Sequence, residues 1–134
     1  MDVVVLGIGI NGLAVIRSLG SKGLVVGGVY NDATEEIGIH SKYLSACIEF
    51  SVKSSCETLY RACLDLIADS KSKPVLICTT DLFAELVASN SEMFELSFTL
   101  TTPDKYLYWK FLQKQPTAKI CIDNGVAIPS TIFV

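Results

Sequence analysis

Three observations predict an α/β chain built as a Rossmann-like open parallel sheet with helices on both faces. Short apolar runs alternate with helix-period segments, as strands and crossover helices do in a parallel sheet. The first such run, Val3-Val4-Val5-Leu6, enters Gly7-Ile8-Gly9-Ile10-Asn11-Gly12, a GxGxxG loop opening a helical stretch, Leu13 to Lys22. Half of the 134 residues are apolar, in many short runs broken by Gly and Ser, as strands buried on both faces require.

The glycine loop is the first candidate site. Gly7 permits a tight turn, Gly9 lets a ligand approach the backbone, and Gly12 lets helix and strand pack closely. The uncovered N–H groups and the dipole at a helix N-terminus favour an anion. The same glycines also serve a strand–helix unit that binds nothing, because close packing alone demands them. The second strand is expected over Leu24 to Tyr30. An NAD site wants an acid at that strand's tip, about 20 residues beyond the loop. Tyr30 stands there instead, then Asn31, and the first acid is Asp32. Gly27 and Gly28 within the strand leave room for a neighbouring element.

A polar loop is expected from Asn31 to His40, then a short strand from Cys47 to Phe50. Ser54 and Glu57 read as a capping box for a helix carrying Leu59, Cys63, Leu66 and Ile67 on one face and ending near Ser70. Lys71 to Pro74 turn into the strand Val75 to Thr79. Thr80 and Asp81 begin the next helix, which reaches about Asn90. A cap is expected of Thr80 or Asp81, and the position of the triplet Thr79-Thr80-Asp81 at a strand's carboxyl end turns it toward the glycine-loop crevice. A short helix from Ser91 to Leu96 and a brief strand, Phe98 to Leu100, follow. Thr102 and Pro103 suit the cap and first position of a last helix, with Leu107, Tyr108, Phe111 and Leu112 as its apolar face. Pro116 is expected to interrupt it. The final stretch, Gly125 to Val134, reads as a turn and the start of a strand.

Composition narrows the function classes. The net charge of −3 argues against nucleic acid as the main partner. No run approaches the ~18 apolar residues of a membrane span, and the N-terminus has no basic start or small-residue cleavage site, so no secretory signal is expected. Five cysteines without a CxxC pair argue against a disulfide framework or a zinc site, and one histidine, His40, leaves histidine-dependent chemistry short of members. A cytoplasmic, reducing compartment is expected.

Five segments in order, VVVLGIGINGLAVIRSLGSKGL, IGIHSKYL, KPVLICTTD, TPDKY and GVAIPSTIFV, resemble the N-terminal domain of ATP-grasp ligases of the carboxylate–amine branch. The resemblance spans nearly the whole chain. It implies an enzyme that uses ATP and Mg2+ to form an acyl phosphate on a carboxylate, which an amine then attacks. Gly7, Gly9, Asn11 and Gly12 would face the carboxylate or amine substrate, Thr80 and Asp81 would line the same crevice, and Lys105 would reach an ATP phosphate. A compact ammonium suits that role, although an exposed helix lysine has the same sequence signature. Residues 1–124 would be the substrate-side domain, and 125–134 the start of a link into ATP-grasp domains of the same chain that hold most of the nucleotide and the magnesium. The segment between Lys105 and Gly125 is longer than in such ligases. Residues 1–134 alone would then be inactive, since phosphoryl transfer depends on positioning and metal electrostatics. An apolar patch left by missing domains would suit a homodimer. The alternative is an NAD(P)-binding module of a dehydrogenase or regulatory sensor.

Overall fold

In the computed structural model, which describes residues 1–32, 37–112 and 114–130, five parallel strands lie in the order β3-β2-β1-β4-β5. They are β1 (Val3–Leu6), β2 (Val26–Asn31), β3 (Leu44–Phe50), β4 (Val75–Cys78) and β5 (Thr99–Leu100). The helices are α1 (Ile10–Gly20), α2 (Cys56–Leu66), α3 (Asp81–Ser89), α4 (Ser91–Glu95), α5 (Lys105–Leu112) and α6 (Lys114–Asp123), with a 3-10 turn at Ile37–His40. The chain runs outward from β1 to β3, then crosses back to β4. That reversal opens a crevice between the carboxyl ends of β1 and β4, where such sheets bind ligands.

The strand period of two divides the core. Val3 and Val5 face α1 and pack with Ile8, Ile16 and Val26. Val4 and Leu6 point to the other face, against Leu59 and Cys63 of α2, Phe83 and Val87 of α3, Phe94 of α4, and Phe98. The helices thus cover both faces of the sheet. The close neighbours of the two β2 glycines are side chains: a Cβ on Gly28 would lie 2.9 Å from Ile8, and one on Gly27 would lie 2.9 Å from Met1. The sheet's edges are unequal. β3 offers seven residues, with Ser45, Ala46, Cys47 and Glu49 exposed, whereas β5 has only two.

Several local expectations shift. β3 starts at Leu44, three residues earlier than its apolar run, because pairing with Val26 extends the ladder past a register irregularity. Asn31 closes β2, and Ile37–His40 is helical rather than loop; residues 33–36 of the expected loop lie outside the described residues. The cap of α2 is Ser55, whose Oγ accepts from Thr58 N at 3.4 Å, while Ser54 N is used in a turn to Ser51 O. α2 ends at Leu66 and a turn carries the chain on to Ser70.

The carboxyl-terminal helices depart furthest. Asp104, not Thr102, begins α5: its Oδ1 accepts from Tyr106 N at 2.8 Å and Leu107 N at 3.1 Å. An aspartate carboxylate beats a threonine hydroxyl here because it serves two orphan N–H groups at once and faces the positive end of the helix. Pro116 lies inside α6, in its first turn, where the missing N–H costs no helical hydrogen bond. Gly125 (φ +70°) ends α6, with Gly125 N donating to Ile122 O and Val126 N to Cys121 O in a Schellman closure. Residues 126–130 continue without regular structure, and the rest of the expected strand, 131–134, lies outside the described residues. Among the described residues, no helix is long and apolar enough to cross a membrane, and no cluster of three metal-ligating side chains forms.

The cysteines provide a direct test of the core. Burial pushes the Cys63 thiol far up and Cys78 up to about 11, while Cys47 is exposed on β3. Only the thiolate reacts. Timed labelling at pH 8 should therefore modify Cys47 within minutes and leave Cys63 and Cys78 protected until denaturant unfolds the chain. Mass spectrometry of the labelled peptides reads this directly.

Candidate functional site

The crevice is assembled by the glycine loop on one side and the end of β4 on the other. Gly7 N donates to Val29 O of β2 at 2.8 Å, and the Thr79 hydroxyl points at the carbonyls of Leu6 and Gly7. The loop is therefore strapped to both strands that flank β1. Gly7 holds φ +84°, and a Cβ there would lie 2.7 Å from the Thr80 methyl. A Cβ on Gly12 would collide with the Gly7 carbonyl oxygen, so both glycines are demanded by close approach. Gly9 is the N-cap residue of α1 (φ −64°, ψ −154°), and its carbonyl accepts from Leu13 N at 2.8 Å.

The first-turn N–H groups of Ile10, Asn11 and Gly12 have no helical acceptor and carry the positive end of the α1 dipole. Asn11 is exposed, and so is Ile10, 79% of whose surface meets solvent on the lip of the loop. Asp81 lies across the crevice in the first turn of α3, also exposed. The crevice therefore offers N–H donors on one lip and a carboxylate on the other, which complements a small molecule carrying both an anionic and a cationic group. The 3-10 turn braces the loop from outside: Gly38 N donates to Ile8 O at 2.8 Å, and the close packing of Gly38 on Ile8 leaves no room for a side chain.

Thr80 is the N-cap residue of α3 by backbone position (φ −131°, ψ 153°), yet its side chain makes no cap bond. Its Oγ1 is buried without any hydrogen-bond partner. The expected side-chain cap is thus absent, because Thr80 turns toward Gly7 instead of back to its own helix. A buried hydroxyl left unpaired costs about 1–3 kcal/mol, a cost that Thr80 bears in this rotamer.

The acid nearest a dinucleotide position is already committed. Asp32 Oδ1 accepts from Val52 N at 3.1 Å, and hydrogen bonds from the Ser51 hydroxyl and Val52 N–H hold its carboxyl below the usual range. Asp32 thus binds the segment after β3. Tyr30 points its phenol beside Glu49, and its pKa is raised, chiefly by desolvation.

Lys105 stands apart from this group. It opens α5, is exposed, and lines a cavity of about 400 Å3 with Ser89, Asn90, Glu92 and Met93, at the opposite end of α3 from Asp81. The structure thus brings Gly7, Gly9, Asn11, Gly12, Thr80 and Asp81 together and leaves Lys105 outside. Sequence reading set Thr79 with Thr80 and Asp81 at the crevice but missed that its hydroxyl secures the loop. It also missed the aromatic surface of α5. Tyr106, Leu107, Trp109 and Phe111 are exposed, and Tyr108 alone among the described side chains of that helix is buried, donating its hydroxyl to Asp81 O at 3.2 Å. No protein-family model and no curated protein matches the chain.

Two tests of stability follow, the first being a pair of hydroxyl deletions. Thr80→Val keeps the shape and removes the unpaired hydroxyl, so it should leave stability unchanged or raise it by about 1 kcal/mol. Thr79→Val, which cuts the strap, should cost about 1–2 kcal/mol in urea unfolding. The second test is pH. The depressed Asp32 carboxyl contributes stability that is present above its unfolded pKa and lost as pH falls through the folded value. Asp32→Asn should therefore flatten the acid limb of the stability profile below about pH 4 without changing its neutral plateau in sign.

Proposed function

We propose that residues 1–124 are the substrate-side domain of a cytoplasmic ATP-dependent ligase of the carboxylate–amine kind, with the crevice between β1 and β4 as one wall of its substrate cleft. The observation that carries this reading is the unpartnered Thr80 hydroxyl between the glycine loop and Asp81. The α1 N–H groups would hold the substrate carboxylate, the Thr80 hydroxyl would join them on rotating out from against Gly7, and Asp81 would receive an amine or other cationic group. Such a cradle fixes a carboxylate for activation, and orientation of this kind lowers a barrier by removing positional freedom. ATP and Mg2+, with further ATP-grasp domains of the same polypeptide, would supply the acyl phosphate, and Lys105 would meet a nucleotide phosphate from the α5 side. The ordered resemblance of the glycine loop, TTD and TPDKY segments supports the assignment of the chemistry.

The second reading, an NAD(P)-binding module, has the loop in its favour. It is weakened by the engagement of Asp32, the one acid among the described residues at the β2 tip, with Val52, since that position is where an acid would hold ribose hydroxyls.

Amide NMR on the 15N-labelled chain separates the readings. A small zwitterion such as β-alanine, titrated into the millimolar range, should shift the Ile10, Asn11, Gly12 and Thr80 amides together, and Thr80→Val should reduce the effect. NADH should leave them in place. Saturable shifts with NADH and none with zwitterions would reverse the assignment.

A further inference from the structure

α5 and the first turns of α6 meet where Thr117 hydrogen-bonds to Lys110 O and Phe111 O, and the open cleft beside this junction has the make-up of a binding site distinct from the crevice. It has a volume of about 630 Å3 and is lined by Lys105, Tyr106, Trp109, Lys110 and Pro116, within the range usual for small-molecule sites. Its walls are ordered by contacts of their own. Trp109 packs edge-on to Tyr108 (5.9 Å between centroids, 78° between planes), and Tyr108 is buried and bonded to Asp81 O. The Lys110 ammonium sits 3.9 Å from the centre of the Tyr106 ring. Pro116 supplies a rigid face from the first turn of α6. Lys105 has no hydrogen-bond or ion-pair partner among the described residues, so its charge is available to the cleft.

The charge distribution singles out the same two helices. Of the eleven basic and fourteen acidic residues, residues 105–124 hold four lysines and one aspartate, while the rest of the chain holds seven basic and thirteen acidic residues. A basic island with aromatic walls on an otherwise acidic domain attracts a negative ligand locally. The indole and the proline ring add flat apolar surface against which a ring can stack.

We propose that the α5–α6 cleft binds a small flat aromatic anion, with its ring against Trp109 and Pro116 and its negative group between Lys105 and Lys110. Neither the geometry nor the charge argument uses the glycine loop, so this site is independent of the crevice; it shares Lys105 with the nucleotide role proposed above, and Trp109, Lys110 and Pro116 are its own.

Trp109 is the only tryptophan in the chain, which gives the site its own reporter. Titration of the full chain with 2-naphthoate should quench Trp109 fluorescence saturably. The neutral isostere 2-naphthylmethanol and the non-aromatic cyclohexanecarboxylate should each bind several-fold more weakly. Lys105→Ala and Lys110→Ala should each weaken 2-naphthoate by about two- to fivefold, the scale of a solvent-accessible ion pair. Trp109→Phe should lose the optical signal yet retain binding by calorimetry, which separates a lost reporter from a lost site. Equal affinity for the neutral isostere, indifference to both lysine substitutions, or naphthoate-induced amide shifts confined to Ile10, Gly12 and Thr80 would each overturn the proposal.

Discussion

The contact between the first loop and the end of β4 sets the geometry of everything around it. Gly7 must lack a side chain both because its backbone is left-handed and because Thr80 occupies the space where a Cβ would be. Gly12 must lack a side chain because the Gly7 carbonyl lies against α1. Thr79 closes the arrangement by bonding to that carbonyl and to Leu6 O. With the loop fixed in this way, the α1 axis is aimed and its first-turn N–H groups are held at the mouth of the crevice. The two halves of the core, which meet only across β1 and its neighbours, then face opposite sides of one rigid sheet. A more generous loop would let α1 tilt, and the donors would no longer converge with Thr80 and Asp81.

The sheet and its order of elements were legible in the sequence because their causes are local and repeated. Val3 to Leu6 and Val75 to Cys78 are apolar on both faces, and only a central parallel strand needs that. The glycine loop was legible because Gly7 and Gly12 answer two separate steric demands. Helix ends were less so. Ser54 and Ser55 are adjacent and chemically equal, and the choice falls to Ser55 because Ser54 N is drawn into the Ser51 turn. Thr102 and Asp104 compete in the same way, and the doubly accepting carboxylate prevails. Pro116 breaks a continuous helix but begins a separate one, and sequence periodicity does not distinguish these before the chain has turned.

The candidate site divides along the same line. Gly7, Gly9, Asn11, Gly12, Thr80 and Asp81 could be grouped from sequence because each lies at the carboxyl end of a predicted strand or in the turn that follows. The state of the Thr80 hydroxyl could not, since it depends on a rotamer chosen against Gly7 rather than on any neighbour in the chain. Lys105 was grouped by resemblance, and its distance from the others follows from α3, whose length separates the cavity beside Lys105 from Asp81. The exposure of α5 was equally hidden. Leu107, Tyr108, Phe111 and Leu112 look like a core face in the sequence, yet Leu107 and Phe111 are exposed and, among the described side chains of α5, only Tyr108 is buried.

The unequal edges of the sheet carry a consequence for crowded solutions. An open strand edge is a template for intermolecular pairing, and the template here is almost entirely one-sided. β5 is too short to recruit another strand, while β3 presents seven residues whose exposed side chains are small or neutral, apart from Glu49. That single carboxylate is the gatekeeper of the edge. Pairing of two such edges would end with the pair, since neither partner keeps a second long edge, so runaway fibre growth through this sheet is halted at two molecules.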